Sequence, residues 1–149
     1  MNHAIFDSNI LIDYLGGNLD ALSVIDACAY PAISKIAYME VMVGCKYSAL
    51  VRMATPDNYD DALLSAEKVT RLWISNTFVI LPIDDPTAEL AIEVRKQTRS
   101  RLPDSVIHAT ALLNGWDIVT RDPKDFASLA QLPSGYKNIG VIVPYTLQS

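Results

Sequence analysis

The sequence predicts a three-layer α/β/α sandwich around a mainly parallel central sheet. Three observations lead there. Short apolar runs alternate along the chain with longer amphipathic stretches, the pattern of strands joined by helical crossovers. The chain has 149 residues, 50% of them apolar, enough for one sizeable core. No repeat, low-complexity tract or Pro/Gly/Ser-rich linker divides it, so residues 1–149 read as a single domain.

The elements follow in order. Ala4-Ile5-Phe6 is a short buried strand that stops at Asp7. Ser8-Asn9 opens a helix through Leu15, closed by Gly16-Gly17, and a second helix spans Leu19 to Ala29. Pro31 to Ser34 is a strand. Lys35 to Lys46 is a helix whose apolar stripe is Ile36, Met39, Val43 and Tyr47. Thr55 to Asn58 reads as loop. Asp60 to Ser75 is a helix with Leu63, Leu64, Val69, Leu72 and Trp73 facing inward. Phe78 to Ile83 is the third strand, and Asp84-Asp85-Pro86 starts a helix to about Thr98. Pro103-Asp104 starts another, ended by Gly115. Asp117 to Thr120 is the fourth strand, Asp122-Pro123 opens a short helical turn to Phe126, and Gly140 to Pro144 is the fifth strand.

Composition excludes several classes. No apolar run is long enough to span a membrane, and residues 1–6 lack the pattern of a signal peptide. Cys28 and Cys45 have neither disulfide-framework nor zinc spacing, which fits a reducing cytoplasm. The net charge of −5, from 12 basic and 17 acidic residues, is unlike the basic excess of most nucleic-acid binders. Setting five acids aside in a metal site leaves the two signs balanced.

Where the acids fall is informative. Asp7 and Asp122 lie just past strand ends, and Asp104 lies in the first turn of a helix. Each could equally serve as a helix cap or first-turn acid. Glu40 has a less comfortable explanation of that kind. It shares the apolar stripe of its helix, where a carboxylate is costly unless paired or bound to a cation. Parallel α/β sheets gather sites at the carboxyl ends of their strands, so these acids can converge. Crowded carboxylates need compensating charge. An all-oxygen set without His or Cys suits Mg²⁺ or Mn²⁺, and such a site suits phosphodiester hydrolysis.

Four segments carry a resemblance. Phe6-Asp7-Ser8-Asn9-Ile10-Leu11-Ile12, Ser34 with Ala37-Tyr38-Met39-Glu40-Val41 and Gly44, Leu102 to Ala111 around Asp104, and Ile118 to Phe126 stand in the order of the motifs of PIN-domain ribonucleases. Size and spacing are most similar to the VapC-like toxins of VapBC toxin–antitoxin modules. The resemblance implies a PIN-like fold and a metal-dependent endoribonuclease acting on RNA. It also implies a homodimer inhibited by a small antitoxin protein. By position, Asp7, Glu40, Asp104 and Asp122 would be the catalytic, metal-binding acids, with Asp125 as an additional metal ligand. Asn9 and Thr120 would support them by hydrogen bonds. His108 departs from the pattern, where a small residue is usual, and is expected to pack rather than ligate.

Arg95, Lys96, Arg99 and Arg101 crowd the approach to Asp104, and Arg121 precedes Asp122. They would form a basic rim for phosphates, unless they are simply a solvated helix face. Two rival enzymes fit less well. A phosphotransfer receiver would carry a late strand-end Lys, where this chain has Thr120-Arg121-Asp122. A haloacid-type phosphatase would open with Asp-x-Asp, where this chain has Asp7-Ser8-Asn9. A housekeeping nuclease and a non-catalytic module that binds RNA or protein are also compatible with the residues.

Overall fold

The computed structural model describes residues 1–147. Strands β1 (His3–Phe6), β2 (Tyr30–Ser34), β3 (Val79–Leu81), β4 (Asp117–Val119) and β5 (Val141–Ile142) form one sheet in the order β3-β2-β1-β4-β5. Every pairing is parallel. A parallel sheet is covered on both faces, which is why Ala4, Ile5 and Phe6 form a continuous apolar run and are fully buried. The helices are α1 (Ser8–Leu15), α2 (Leu19–Asp26), α3 (Lys35–Val43), α4 (Ala49–Arg52), α5 (Tyr59–Thr77), α6 (Asp85–Gln97) and α7 (Leu102–Asn114).

Strand order determines where a site can form. From β1 the chain steps outward to β2 and β3, then returns past β1 to β4 and continues to β5. Right-handed crossovers therefore place α1–α5 on one face and α6–α7 on the other. The direction reverses between β1 and β4, so a crevice opens at their carboxyl ends. Asp7 directly follows β1, and Asp122 lies just beyond the end of β4.

Several elements differ from the sequence expectation. Helix α2 ends at Asp26 and α3 at Val43, after which the chain tightens into a 3₁₀ turn over Gly44–Tyr47 and then α4. The Thr55–Asn58 loop contains a further 3₁₀ turn over Pro56–Asn58. The third strand shrinks to Val79–Leu81 because Phe78 caps α5, its N–H bonded to Ile74 O. The fifth strand pairs only at Val141 and Ile142. Gly115 ends α7 as expected, in the left-handed conformation at φ 66°.

The inward faces of two helices also differ. In α5, Leu64, Val69 and Leu72 are exposed, while Ala66, Thr70 and Ile74 are buried. That i, i+4 row turns the small Ala66 and Thr70 inward together with Ile74. Leu63 and Trp73 are half-buried, and Trp73 stacks on Tyr14 of α1 at 4.3 Å. In α3 the buried residues are Ala37 and Val41, and Met39 and Val43 are exposed, as is Tyr47 in the 3₁₀ turn that follows. A side chain at Gly44 would press on Ile12 at 3.2 Å, so glycine permits the close approach of this segment to α1. The stripe carrying Glu40 is thus the wall of an open groove and not part of the core.

Candidate active site

Asp7 leaves β1 with its N–H bonded to Val119 O at 2.9 Å, which ties it to the end of β4. It occupies the N-cap position of α1, but its side chain makes no capping bond. Instead the carboxylate turns into the crevice, where Thr120 Oγ1 donates to Oδ2 at 2.8 Å. Asp7 is only 5% exposed. A capping role fails for Asp122 as well, which makes no side-chain capping bond to the turn Pro123–Phe126.

A hydrogen-bonded relay joins these residues across the two strand ends. Asn9 Nδ2 donates to Thr120 Oγ1 at 3.2 Å and lies 3.4 Å from Asp122 Oδ2, while Arg121 N–H reaches Asn9 Oδ1 at 3.4 Å. Thr120 Oγ1 also accepts from Asp122 N–H at 3.0 Å. Asn9 and Thr120 therefore tie Asp7 and Asp122 into one hydrogen-bonded set at the two strand ends. Ser8, read from the sequence only as a helix opener, is a further member. Its hydroxyl lies 3.2 Å from Glu40 Oε1 and 3.4 Å from Asp7 Oδ1, and its one proton serves one of them at a time.

Glu40 projects from α3 and Asp104 from the first turn of α7, and Asp104 is buried to 4% exposure. Arg101 reaches both, with Nη2 at 3.6 Å from Glu40 Oε2 and Nε at 3.6 Å from Asp104 Oδ2. Glu40 thus has the ion-pair partner that its position demanded. Electrostatics define the group. Burial pushes the Asp7 carboxyl up to about 6, with Asp104 and Glu40 adding to the rise and Thr120 opposing it. Burial also raises Asp104, assisted by Asp125 and Glu40 and opposed by Arg101. Asp7 thus feels Asp104 and Glu40, and Asp104 feels Glu40 and Asp125, whereas Asp122 is engaged by Asn9.

The basic residues separate into distinct roles. Arg121 turns away from the crevice into a half-buried pair with Asp13, its Nη2 at 3.2 Å from Oδ1. Tyr145 donates to the same Asp13 at 2.8 Å. Arg95 bonds Thr98 O, Lys96 pairs with Glu93, and Arg99 lies in a separate hollow with Lys124 and Asp125. Of the five, Arg101 alone pairs with acids of the group. His108 is buried against Phe126, and burial lowers its imidazole to about 4, so it packs as a neutral ring.

A hard divalent cation fits the chemistry of this donor set: carboxylate oxygens, with the Asp7 and Asp104 carboxyls both raised by burial and like charge. Among the described residues, no group of three or more His, Cys, Asp or Glu side chains is drawn together closely enough to hold a metal ion as the side chains stand. The Arg101 guanidinium stands between Glu40 and Asp104. Beside it runs a groove of about 570 Å³, lined by Ile12, Ile36, Met39, Val43 and Tyr47 with Glu40 and Arg101 at its edge.

The model of the PIN domain matches residues 4–132. A search of curated proteins finds no match. Among solved structures, a chain of a toxin–antitoxin complex from Klebsiella pneumoniae is 35% identical, with a TM-score of 0.73 over 97% of this chain and 99% of that one. FitAcB from Neisseria gonorrhoeae aligns at 20% identity and TM-score 0.67, over 97% and 99% of the two chains. DNA-bound VapBC from Salmonella typhimurium aligns at 18% and 0.67, over 95% and 98%. These two are likenesses of fold. The family match over most of the chain, with the 35% identical relative, places this protein in the PIN-domain family.

Proposed function

We propose that the protein is a Mg²⁺- or Mn²⁺-dependent endoribonuclease and the toxin of a toxin–antitoxin pair. One observation carries the reading: Asp7, Glu40 and Asp104 come from three separate elements to one crevice at the strand-order reversal, where burial and mutual repulsion hold Asp7 near 6. A fold pays that cost for function rather than stability. Asp7, Glu40 and Asp104 would hold the cation, with Asp122 and Asp125 at its rim. Held by these carboxylates, such a cation would supply positive charge beside the scissile phosphate and would lower the pKa of a water. Thr120 and Ser8 fix the Asp7 carboxylate by hydrogen bonds, and Asn9 holds the loop bearing Asp122 against α1.

The toxin assignment draws on the 35% identical chain, which comes from a toxin–antitoxin complex. The apolar groove ending at Glu40 suits an amphipathic helix, and an Arg delivered from such a helix would pair bidentately with the carboxylates. The active form is a homodimer in this reading. Expression of the protein alone should arrest growth, and Asp104→Asn should abolish the arrest. Co-expression with the small protein encoded beside it should restore growth and yield a stable complex. A harmless wild-type protein with no such partner would leave a housekeeping nuclease; a wild-type protein without nuclease activity would leave a binding module.

A further inference from the structure

Arg101 and Arg121 are built differently. Arg121 is 24% exposed and held by Asp13 in a two-point pair, which Tyr145 buttresses. Arg101 is 72% exposed and stands at the N-cap of α7 without a side-chain capping bond. Both of its carboxylate contacts are 3.6 Å, beyond the 2.7–2.9 Å or so of a good charge-assisted hydrogen bond. It is thus an exposed cation loosely bridging two acids that come from different helices. Its stem is long, and it also borders the apolar groove where a substrate or inhibitor would enter.

The two acids it bridges are members of the group assigned above to the cation. A guanidinium and a divalent cation cannot share them without strong repulsion. We propose that Arg101 is a resident counter-cation: it neutralises Glu40 and Asp104 while the metal is absent, competes with its entry, and is released on loading to face the substrate phosphate. The inference rests on the proposed metal-dependent function and adds regulation of the same site. It makes Arg101 a substrate-binding residue, since a released guanidinium in the groove mouth can pair two phosphate oxygens.

The test uses Mn²⁺ alone, with affinity read by calorimetry and by the rise in melting temperature, without RNA. Arg101→Gln should bind Mn²⁺ about 3- to 10-fold more tightly than wild type, the worth of two loose exposed pairs. Arg101→Lys should lie between the two, and the gain should shrink at high salt. Arg95→Gln removes one charge from the same region without touching the acids, and should leave Mn²⁺ affinity unchanged. At saturating Mn²⁺, Arg101→Gln should cleave labelled single-stranded RNA with KM raised roughly threefold or more and kcat little altered. Equal or weaker Mn²⁺ binding by Arg101→Gln would overturn the proposal, as would an equal gain in Arg95→Gln or an unchanged KM. A wild-type protein that binds no Mn²⁺ at all would instead refute the metal-dependent function on which it rests.

Discussion

Replacing Asp7 with Asn should make the metal-free protein more stable, and the size of the effect follows from the site. A carboxyl held at about 6 rather than 3.8 carries an ionisation penalty of about 3 kcal/mol at neutral pH, at about 1.4 kcal/mol per tenfold in the proton equilibrium. The sign follows from linkage. The folded state binds the proton more tightly than the unfolded chain, so this contribution is fully present below about pH 4 and is lost as pH rises through about 6. Asn removes the charge and keeps an oxygen for the Thr120 hydroxyl. Allowing about 1 kcal/mol for the weaker bond from Thr120 leaves a net gain of about 2 kcal/mol at pH 7.5. At roughly 2–4 °C per kcal/mol for a chain near this length, the melting temperature should rise by about 4–8 °C. The assay is thermal unfolding of both proteins in chelator from pH 4.5 to 8. The advantage of Asp7→Asn should be largest above pH 7 and should fade toward pH 4.5. A variant less stable at every pH would refute the reasoning, because Asp7 would then be an ordinary stabilising residue.

Two more predictions concern neighbours of that group. Thr120→Val removes the donor that opposes the rise at Asp7, so the acid limb of any pH–activity profile should move to higher pH; an unmoved limb would exclude Thr120 from control of Asp7. His108→Met should stabilise the protein more at pH 4.5 than at pH 7.5. The buried imidazole, lowered to about 4, loses stability as pH falls from its ordinary 6.5 toward 4, and calorimetry at the two pH values reads the difference.

Much of this was legible in the sequence, for identifiable reasons. The run Ala4-Ile5-Phe6 ending in Asp7 reads as a buried parallel strand because both of its faces are covered. Gly115 reads as a helix end because only a left-handed residue closes α7 there. The misread faces share one cause. In α5 and α3, Leu64, Val69, Leu72, Met39 and Val43 lie outside, while Ala66, Thr70, Ala37 and Val41 turn inward beside the buried Ile74. Hydropathy ranks side chains by size and greasiness, whereas close helix packing selects small ones. Ser8 was hidden because a serine at a helix start already has a sufficient local explanation. The separate roles of Arg101 and Arg121 were not legible either, since the partners of an arginine depend on tertiary placement: Glu40 lies 61 positions from Arg101, and Asp13 lies 108 from Arg121.

The most direct measurement is cleavage of end-labelled RNA by purified wild-type protein and Asp104→Asn, each with Mn²⁺, with Mg²⁺ and with excess chelator. Asp104 is the choice because it is buried and joins the acidic group from a different element than Asp7 or Glu40. Wild type should cleave internally with either metal and not in chelator, and a folded Asp104→Asn should not cleave under any condition. Cleavage that survives the chelator, or proceeds at the wild-type rate in Asp104→Asn, would contradict the proposed function.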